Sequence, residues 1–317
     1  MQNDATIPEE TRNAWREWGL PRDEFPDNGN LPYEIYVREA RRIKGRYTFT
    51  ENDVRLAPEL KRAPIFPDAI CLTDWYIESH AVTAERVEGS LWEGQLELRN
   101  STFPGQLSFG AILPQGLDNL LVPVCASATH VAWQVIRLEV TWMAMAEAAA
   151  HATALALRHN TLPATIDPDE LVRLLAERGV GLSFFNDVEV DPREPWVPAV
   201  QYFGTQGFFG SYEADPLDSL TKEVAEIWVS AAAEWVSGVR VDPNLRARRV
   251  LAAQDKGGEP LLANEFARLL AQALAKTPRP LSSEALLQLA QLEGGVRISR
   301  GSACRMMFAA GRKSASP

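Results

Sequence analysis

The segment that decides the fold reads Asn119-Leu120-Leu121-Val122-Pro123-Val124-Cys125-Ala126-Ser127-Ala128-Thr129-His130. Residues 119–124 form a short apolar run, which predicts a strand, and the small and polar residues that follow predict a loop. From residue 138 to residue 158 the pattern is helical, and eight of the 13 residues from 144 to 156 are alanine, the best helix former. Strand, polar loop and helix in this order predict a mixed α+β fold.

A polar loop that leads into a helix is a candidate site for an anion or a cofactor. The first N–H groups of a helix lack partners within the helix, and the N-terminus carries a partial positive charge. Such an end can hold an anionic or carbonyl-rich edge, such as one side of a flavin ring, and Arg137 would add charge there. The alternative is a core helix with an ordinary polar loop, which the pattern alone favours.

The sequence lacks the other common catalytic motifs. None of its 20 glycines forms G-x-G-x-x-G or G-x-x-x-x-G-K, and no G-x-S-x-G is present. Three cysteines without a C-x-x-C spacing, together with four histidines, predict neither a disulfide scaffold nor a metal site. His151 and His159 are predicted to face solvent.

Charge and hydropathy exclude further classes. The net charge is −10, and residues 236–317 hold 13 Lys and Arg against 6 Asp and Glu, whereas residues 1–235 hold 19 against 36. An acidic main body argues against nucleic acid as the chief partner. The basic tail would meet an anionic polymer or the acidic body. With no apolar run of roughly 18 residues and no signal-peptide pattern at the start, we expect a cytoplasmic protein without a membrane span.

Outward from the central segment, the pattern predicts a boundary near residue 180. Before it, a helix over 9–18, a strand over 33–37, a capping pair in Thr50-x-x-Asp53, a buried strand within 69–82 and a helix from Pro168 are expected. Residues 184–216 contain several prolines and aromatics and predict a loop-rich linker. After this linker, helices are expected over 220–236, 261–275, 283–293 and 302–309.

The central segment resembles the carboxy-terminal, flavin-binding part of a family of bacterial FAD-dependent oxidoreductases often called xanthan lyase-like. The resemblance spans residues 1–180. It is carried by residues 119–144 and by three more stretches: Trp18-Gly19-Leu20-Pro21, Tyr36-Val37-Arg38-Glu39-Ala40-Arg41-Arg42 and Ile77-Glu78-Ser79-His80-Ala81-Val82.

The resemblance implies FAD as cofactor and assigns candidate residues. Those near the cofactor would be Ser127, Thr129 and His130, with Arg137 and Leu138 at the flavin edge. Candidates for the substrate side are Arg38, Arg41, Arg42 and His80. The alternatives are structural ion pairs for the arginines and a core position for His80. Gln134-Val135 stands where the family tends to have Gly-Thr or Gly-Ser, and its bulk would hinder close approach to a flavin.

Relatives of this kind begin with a Rossmann-type domain whose glycine loop binds the ADP part of FAD. The resemblance therefore implies an incomplete domain, the flavin-proximal and substrate half. Such a half is expected to be inactive unless a nucleotide-binding half is supplied in trans or copies self-associate. The substrate is expected to be a small or sugar-like molecule, and longer relatives could be exported.

The part after residue 180 resembles surface-layer homology repeats. The matching residues are Asp187-Val188, Trp196, Ala199-Val200-Gln201-Tyr202, Gly207-Phe208-Phe209 and Leu220-Thr221-Lys222-Glu223. Echoes at Leu262 and Ile298 give spacings of 42 and 36 residues, which suit a repeat of two helices and a loop. An all-α module over 181–317 is therefore expected. The alternative function is a non-catalytic protein whose tail holds an anionic cell-wall polysaccharide.

Overall fold

The structure is a computed structural model. It describes residues 2–34, 38–81, 88–89, 94–191, 193–239, 241–277 and 280–311, apart from the side chains of residues 235 and 236. Most of the strand predicted over 33–37, and Val82 of the matching stretch, lie outside the described residues. Residues 1–40 and 41–317 form two compact units.

The first unit contains the helix α1 (Glu9–Arg16), which confirms the helix predicted over 9–18. Its first turn carries Glu9 and Glu10 and its last turn carries Arg16, the arrangement that the helix dipole favours. A single turn of 3₁₀ helix follows at Pro26–Asn28. The hydroxyl of Tyr33 donates to the carboxylate of Asp27 at 2.6 Å.

Two small antiparallel sheets lie in the second unit. They are built from β1 (Ala69–Thr73), β2 (Glu78–Ser79), β3 (Leu96–Glu97) and β4 (Gly105–Ser108). β1 pairs with β4, and β2 pairs with β3. All four residues of β4 and all but one of β1 are buried, so the predicted buried strand within 69–82 is confirmed. Thr50 and Asp53 form the predicted capping box, on a 3₁₀ turn.

The strand predicted over residues 119–124 is wrong, because this segment is irregular and half-exposed. Leu120 and Val124 are 43% and 44% exposed. Pro123 has no N–H group to donate to a ladder, which is why prolines are rare inside sheets. One backbone bond, from Val122 N to Ile112 O at 2.9 Å, fixes the segment to the core.

Two helices, not one, follow the polar loop. α2 (His130–Ile136) begins at the end of the loop, and α3 (Glu139–Arg158) starts two residues later. The helix predicted over 138–158 is thus confirmed, but the helix N-terminus that the loop enters is that of the seven-residue α2. α3 packs against β1 and against α4 (Pro168–Glu177), which begins at the predicted proline.

The part after residue 180 is helical in the described residues. Its helices are α5 (Val197–Thr205), α6 (Lys222–Val236), α7 (Pro243–Gln254), α8 (Ala263–Leu274), α9 (Ser283–Ala290) and α10 (Arg300–Ala310). The linker predicted over 184–216 is wrong where α5 lies: Pro198 occupies an early helix position, where a missing N–H is tolerated. α7 was not predicted, although Asp242 caps it and Pro243 opens it.

Three segments of this helical part meet in a ring of backbone hydrogen bonds. Leu220 N donates to Ile298 O, Ile298 N to Leu261 O, and Leu261 N to Leu220 O, at 2.9 to 3.0 Å. Each segment immediately precedes α6, α8 or α10, so three helices begin from one closed ring. The three side chains are buried. Leu220 and Ile298 are positions of the predicted repeat spacing, and Leu261 directly precedes the third, Leu262.

One large hydrophobic core runs through the second unit, with members from Phe49 to Phe308, and a small separate cluster contains Leu60 and Ile65. The division at residue 180 therefore stays a prediction. Among the described helices, none is both long and apolar enough to cross a membrane.

Candidate functional site

The strand β2 and the helix α2 bring together candidates from two distant parts of the chain. Ser79 Oγ lies 3.2 Å from His130 Nε2, although the residues are 51 positions apart. Ser79 is buried and His130, the first residue of α2, is partly buried. α2 packs on β2, the two-residue strand that immediately precedes His80.

A single carboxylate, that of Glu78, faces two basic side chains at this junction. Its Oε1 lies 3.4 Å from His80 Nε2, and its Oε2 lies 3.6 Å from Arg137 Nη2. The side chain of Arg137 is only 6% exposed, against 20% for Glu78 and 29% for His80. An arginine this far from water needs a negative partner, and Glu78 supplies it. Arg137 and His80, predicted separately, thus share one carboxylate.

Glu78 is the functional candidate that sequence reasoning missed. It lies within the stretch that carries the resemblance, but no role was assigned to it. The available signal was an acidic residue two positions before His80, a spacing at which side chains share a face when the chain is extended. Its partner Arg137 is 59 residues away, and no local pattern reveals that contact.

Gln134 and Val135, which replace the small residue pair expected from the family resemblance, have a structural role. Gln134 is 1% exposed and its Oε1 accepts a bond from Arg137 Nε at 2.8 Å. The carbonyl of Val135 accepts a bond from Thr73 Oγ1 at 2.6 Å, which ties α2 to the end of β1. Both residues point into the chain's own packing, and Gln134 fixes the orientation of the buried guanidinium.

The loop before α2 is held from the other side by the segment that begins at Arg41. Ser127 Oγ lies 3.0 Å from Thr48 Oγ1, and a Cβ on Gly45 would lie 2.7 Å from Ser127 Cβ. Thr129 accepts a bond from Ala132 N at 3.3 Å and so caps α2. The close approach of the loop to Gly45 leaves no room for a Cβ, which explains why glycine stands at position 45.

Among the arginines, Arg42 reaches this loop. Its Nε donates to the carbonyl of Ala128 at 3.1 Å, and its guanidinium lies 5.5 Å from the ring centre of Trp133. Arg41 is exposed in the same unit, and Arg38 is exposed in the first unit. The structure thus brings together Arg42, His80, His130 and Arg137 around α2.

The residues fit the flavin ring of FAD in part. Ser127 and Arg137 are 2% and 5% exposed, and their polar atoms bond within the chain, so they do not fit direct contact with a ring. Thr129, His130 and Leu138 are partly buried and fit such contact. The ADP part of FAD is usually held by a glycine loop, a motif that the 317 residues do not contain.

Two open cavities lie in the helical part. One of about 270 Å³ is lined by Glu223, Glu234 and Arg246 among others. The second, of about 180 Å³, adjoins the ring and is lined by Asp215, Thr221 and Arg300. Burial lowers the pKa of Arg300, and the charge of Asp215 opposes that effect. No group of three or more potential metal ligands occurs among the described residues.

The comparisons with known proteins point to one family. A family model described as FAD dependent oxidoreductase matches residues 2–175, more than half of the chain. The matched range includes β2, α2, α3 and the residues Glu78, His80 and Arg137. No curated protein and no solved structure matches the chain.

Proposed function

Because the chain belongs to the family of FAD dependent oxidoreductases, we propose that the surroundings of α2 form the flavin-proximal and substrate side of a redox site. The observation that carries the proposal is the Glu78 carboxylate shared by His80 and Arg137, with the neighbouring Ser79 in contact with His130 at the start of α2. Within the family, the stretches quoted above favour the bacterial, xanthan lyase-like group.

Three residues are proposed to contact the flavin ring: Thr129, His130 and Leu138. When bound, FAD supplies the two-electron acceptor for oxidation of a substrate carbon. Ser127 and Arg137 are proposed to support the site without contacting the flavin ring. Ser127 holds the loop against Thr48, and Arg137 holds the Glu78 carboxylate in place.

The substrate side is proposed to lie at His80, together with Arg42, which contacts the loop before α2, and the adjacent Arg41. Oxidation of an alcohol or amine by hydride loss also releases a proton from oxygen or nitrogen. His80 Nδ1 is the atom proposed to accept that proton, since the side chain is partly exposed and its Nε2 faces the Glu78 carboxylate, which orients the ring. Arg38 belongs to the substrate-side proposal on the resemblance alone. A small or sugar-like substrate suits these groups.

We further propose that the ADP part of FAD is held by residues outside this sequence. A second polypeptide with a glycine loop would supply them in trans. The chain alone would then bind FAD weakly and be inactive. This proposal rests on the family's use of a Rossmann-type glycine loop.

Flavin binding tests the site directly. The purified chain is titrated with FAD, and the flavin fluorescence is followed for the wild type, His130→Ala and the control His159→Ala, an exposed histidine paired with Glu170. We expect weak quenching by the wild type and the control, and a several-fold weaker effect for His130→Ala. Equal quenching by all three would overturn the assignment of His130. One FAD retained per purified chain would overturn the need for a second polypeptide.

A second candidate function concerns the helical part. The closed ring of Leu220, Leu261 and Ile298 supports the repeat architecture of a surface-layer homology module. Lys222 is exposed at the start of α6, and Arg300 begins α10 beside the smaller cavity. This arrangement favours binding of an anionic cell-wall polysaccharide.

Retention on an anionic wall polysaccharide tests this candidate. Lys222→Ala is compared with Lys256→Ala, since both lysines are exposed but only Lys222 opens a ring helix. At low salt, we expect Lys222→Ala to be retained less than the wild type and Lys256→Ala to be retained equally well. Retention of all three proteins is expected to fall as the salt concentration rises. Unchanged retention of Lys222→Ala would exclude the loop as a binding element.

A further inference from the structure

The smaller cavity of the helical part has two polar atoms in its lining residues that find no partner in the chain. It has a volume of about 180 Å³, and both Thr221 and Arg300 line it. Thr221 Oγ1 and Arg300 Nε are buried, and neither has a hydrogen-bond partner among the described residues. Because an unpaired buried polar atom costs free energy, its presence in a native chain calls for a partner such as water or a ligand.

The guanidinium of Arg300 is held by the chain at both terminal nitrogens but not at Nε. Arg300 is 6% exposed, and its Nη1 lies 3.3 Å from Asp215 Oδ2. With its amide oxygen turned toward Arg300, Gln254 accepts from both terminal nitrogens. The guanidinium also lies 5.3 Å from the ring centre of Phe209 and 5.7 Å from that of Trp228. One N–H donor, at Nε, therefore remains in a position that the chain fixes.

The charge of Arg300 is balanced by carboxylates. Among the residues that line the cavity, Asp215 and Asp218 are acidic and Arg300 is the cation. Burial lowers the pKa of Arg300, and the charges of Asp215, Asp187 and Asp218 act against that lowering. These carboxylates would repel a sugar acid or a phosphate, and the guanidinium would repel an ammonium group placed at its Nε. The charges therefore favour a neutral ligand.

The lining combines hydrogen-bonding groups with an apolar wall. A hydroxyl group both donates and accepts, so neighbouring hydroxyls of one ligand can bond to Arg300 and to its partner Asp215 together. Leu220 and Val224, which are buried, form an apolar part of the wall suited to the C–H groups of a ring. The volume lies below the roughly 300–1,000 Å³ of cavities that take drug-sized molecules. The ligand is therefore small.

We propose that this cavity binds one neutral sugar ring, whose hydroxyls accept from Arg300 Nε, bond to Thr221 Oγ1 and donate to the Asp215 carboxylate. The inference deepens the second candidate function and rests on it for the polymer that carries the sugar. Lys222, which is exposed at the start of α6 and does not line the cavity, would contact the charge of that polymer. The sugar unit and the anionic group are thus recognised by different residues.

Small sugars test the cavity without any polymer. Ligand-observed NMR titrations of the full chain give dissociation constants for the neutral sugars D-glucose and D-mannose and for the ions D-glucuronate and protonated D-glucosamine. We expect at least one neutral sugar to bind in the millimolar range, and both ions to bind several-fold more weakly than the better neutral sugar. Binding of either ion as tightly as that sugar would overturn the proposal, and so would the absence of saturable binding of both neutral sugars.

Thr221→Val removes the unpaired hydroxyl and keeps the shape of the side chain. Because Thr221 Oγ1 bonds to no described residue, we expect the urea midpoint of the sugar-free chain to be no lower than that of the wild type. Sugar binding is expected to weaken several-fold. The control Thr153→Val removes a hydroxyl that donates to Ala149 O at 2.8 Å in α3, and it should leave sugar binding unchanged. Wild-type sugar affinity in Thr221→Val, or an equal loss in both variants, would overturn the proposal.

Asp218→Asn tests the charge selectivity. Asp218 is exposed, so the change removes one negative charge at the cavity with little effect on packing. We expect the difference in affinity between the better neutral sugar and D-glucuronate to narrow, and an unchanged difference would contradict the selection of a neutral ligand by the carboxylates.

Retention on the wall polysaccharide distinguishes this inference from the function on which it rests. A chain that binds a neutral sugar but not the polymer would contradict the second candidate function and leave the cavity assigned. A chain retained by the polymer, with no affinity for either neutral sugar and with retention unchanged in Thr221→Val, would keep that function and overturn the cavity as its sugar site.

Discussion

The carboxylate of Glu78 lies 3.6 Å from the guanidinium of Arg137, which joins the short strand β2 to the end of α2. Arg137 is 5% exposed, so removing its charge leaves a half-buried carboxylate with one partner fewer. We expect Arg137→Met to lower the free energy of unfolding by about 2 kcal/mol, less than for a fully buried pair because Glu78 is partly solvated. Urea denaturation measures this loss.

The control is Arg193→Met, since Arg193 forms an exposed pair with Asp191 and surface pairs contribute little. In the same assay, Glu78→Gln/Arg137→Met should lose less than the two single losses added together, because each single change already breaks the shared contact. Additive losses would mean that Glu78 and Arg137 do not interact.

Glycine at position 45 lets two segments of the second unit approach. A Cβ there would lie 2.7 Å from Ser127 Cβ, 2.8 Å from the Tyr47 carbonyl oxygen and 2.9 Å from the Gly110 carbonyl oxygen. Because two of these atoms are backbone, the loop before α2 would have to move. We expect Gly45→Ala to destabilise the chain by about 2 kcal/mol and to weaken flavin quenching, whereas Gly295→Ala, with open space around it, should do neither. A Gly45→Ala variant as stable as the wild type would contradict this packing.

Local signals in the sequence predict most of the helices. Asp167 accepts a bond from Asp169 N and Pro168 opens α4, while Ser282 and Ser299 cap α9 and α10 in the same way. Each of these signals acts within one turn of the helix that it starts. The alanine-rich sequence of α3 also needs no distant partner to favour a helix.

The contacts that form the candidate site are not local, and sequence reasoning found only part of them. His130 and Ser79 are 51 residues apart, and their contact depends on how α2 packs on β2. The apolar run at residues 119–124 was misleading, because hydropathy alone does not show that Pro123 prevents strand pairing. The family resemblance supplied His80, His130 and Arg137, but the carboxylate that connects two of them emerged only from the structure.

The three cysteines should differ sharply in reactivity. Burial raises the pKa of the Cys71 thiol to about 12 and also raises the pKa of Cys304, whereas Cys125 is exposed on the loop before α2. Iodoacetamide at pH 8 is expected to add one group per native chain, at Cys125, and three after unfolding, as counted by mass spectrometry. Rapid modification of Cys71 in the native chain would contradict its place in β1.

The raised pKa of Cys71 also predicts how the free energy of unfolding changes at alkaline pH. The pKa of Cys71 is raised in the folded chain above the unfolded value of roughly 8.5. The folded state therefore holds this proton more tightly, and its advantage is present below that value and lost as the pH rises toward 12. We expect the free energy of unfolding to fall with pH above roughly 9 in the wild type and to fall less steeply in Cys71→Ala. Parallel curves for the two proteins would show that Cys71 is not responsible.

The ring of backbone bonds should open as one unit. Leu220, Leu261 and Ile298 each donate one bond and accept one within the ring, and all three residues are buried. Breaking any one bond separates two of the segments from which α6, α8 and α10 begin, so the other two bonds lose their geometry as well. Native-state hydrogen exchange is expected to give the three amides opening free energies within about 1 kcal/mol of one another. The amide of Val239 also donates a backbone bond, but its residue is 54% exposed near the end of a helix and should exchange much faster. If one ring amide exchanged as fast as that of Val239, the three segments would be independent elements and the proposed repeat architecture would lose its support.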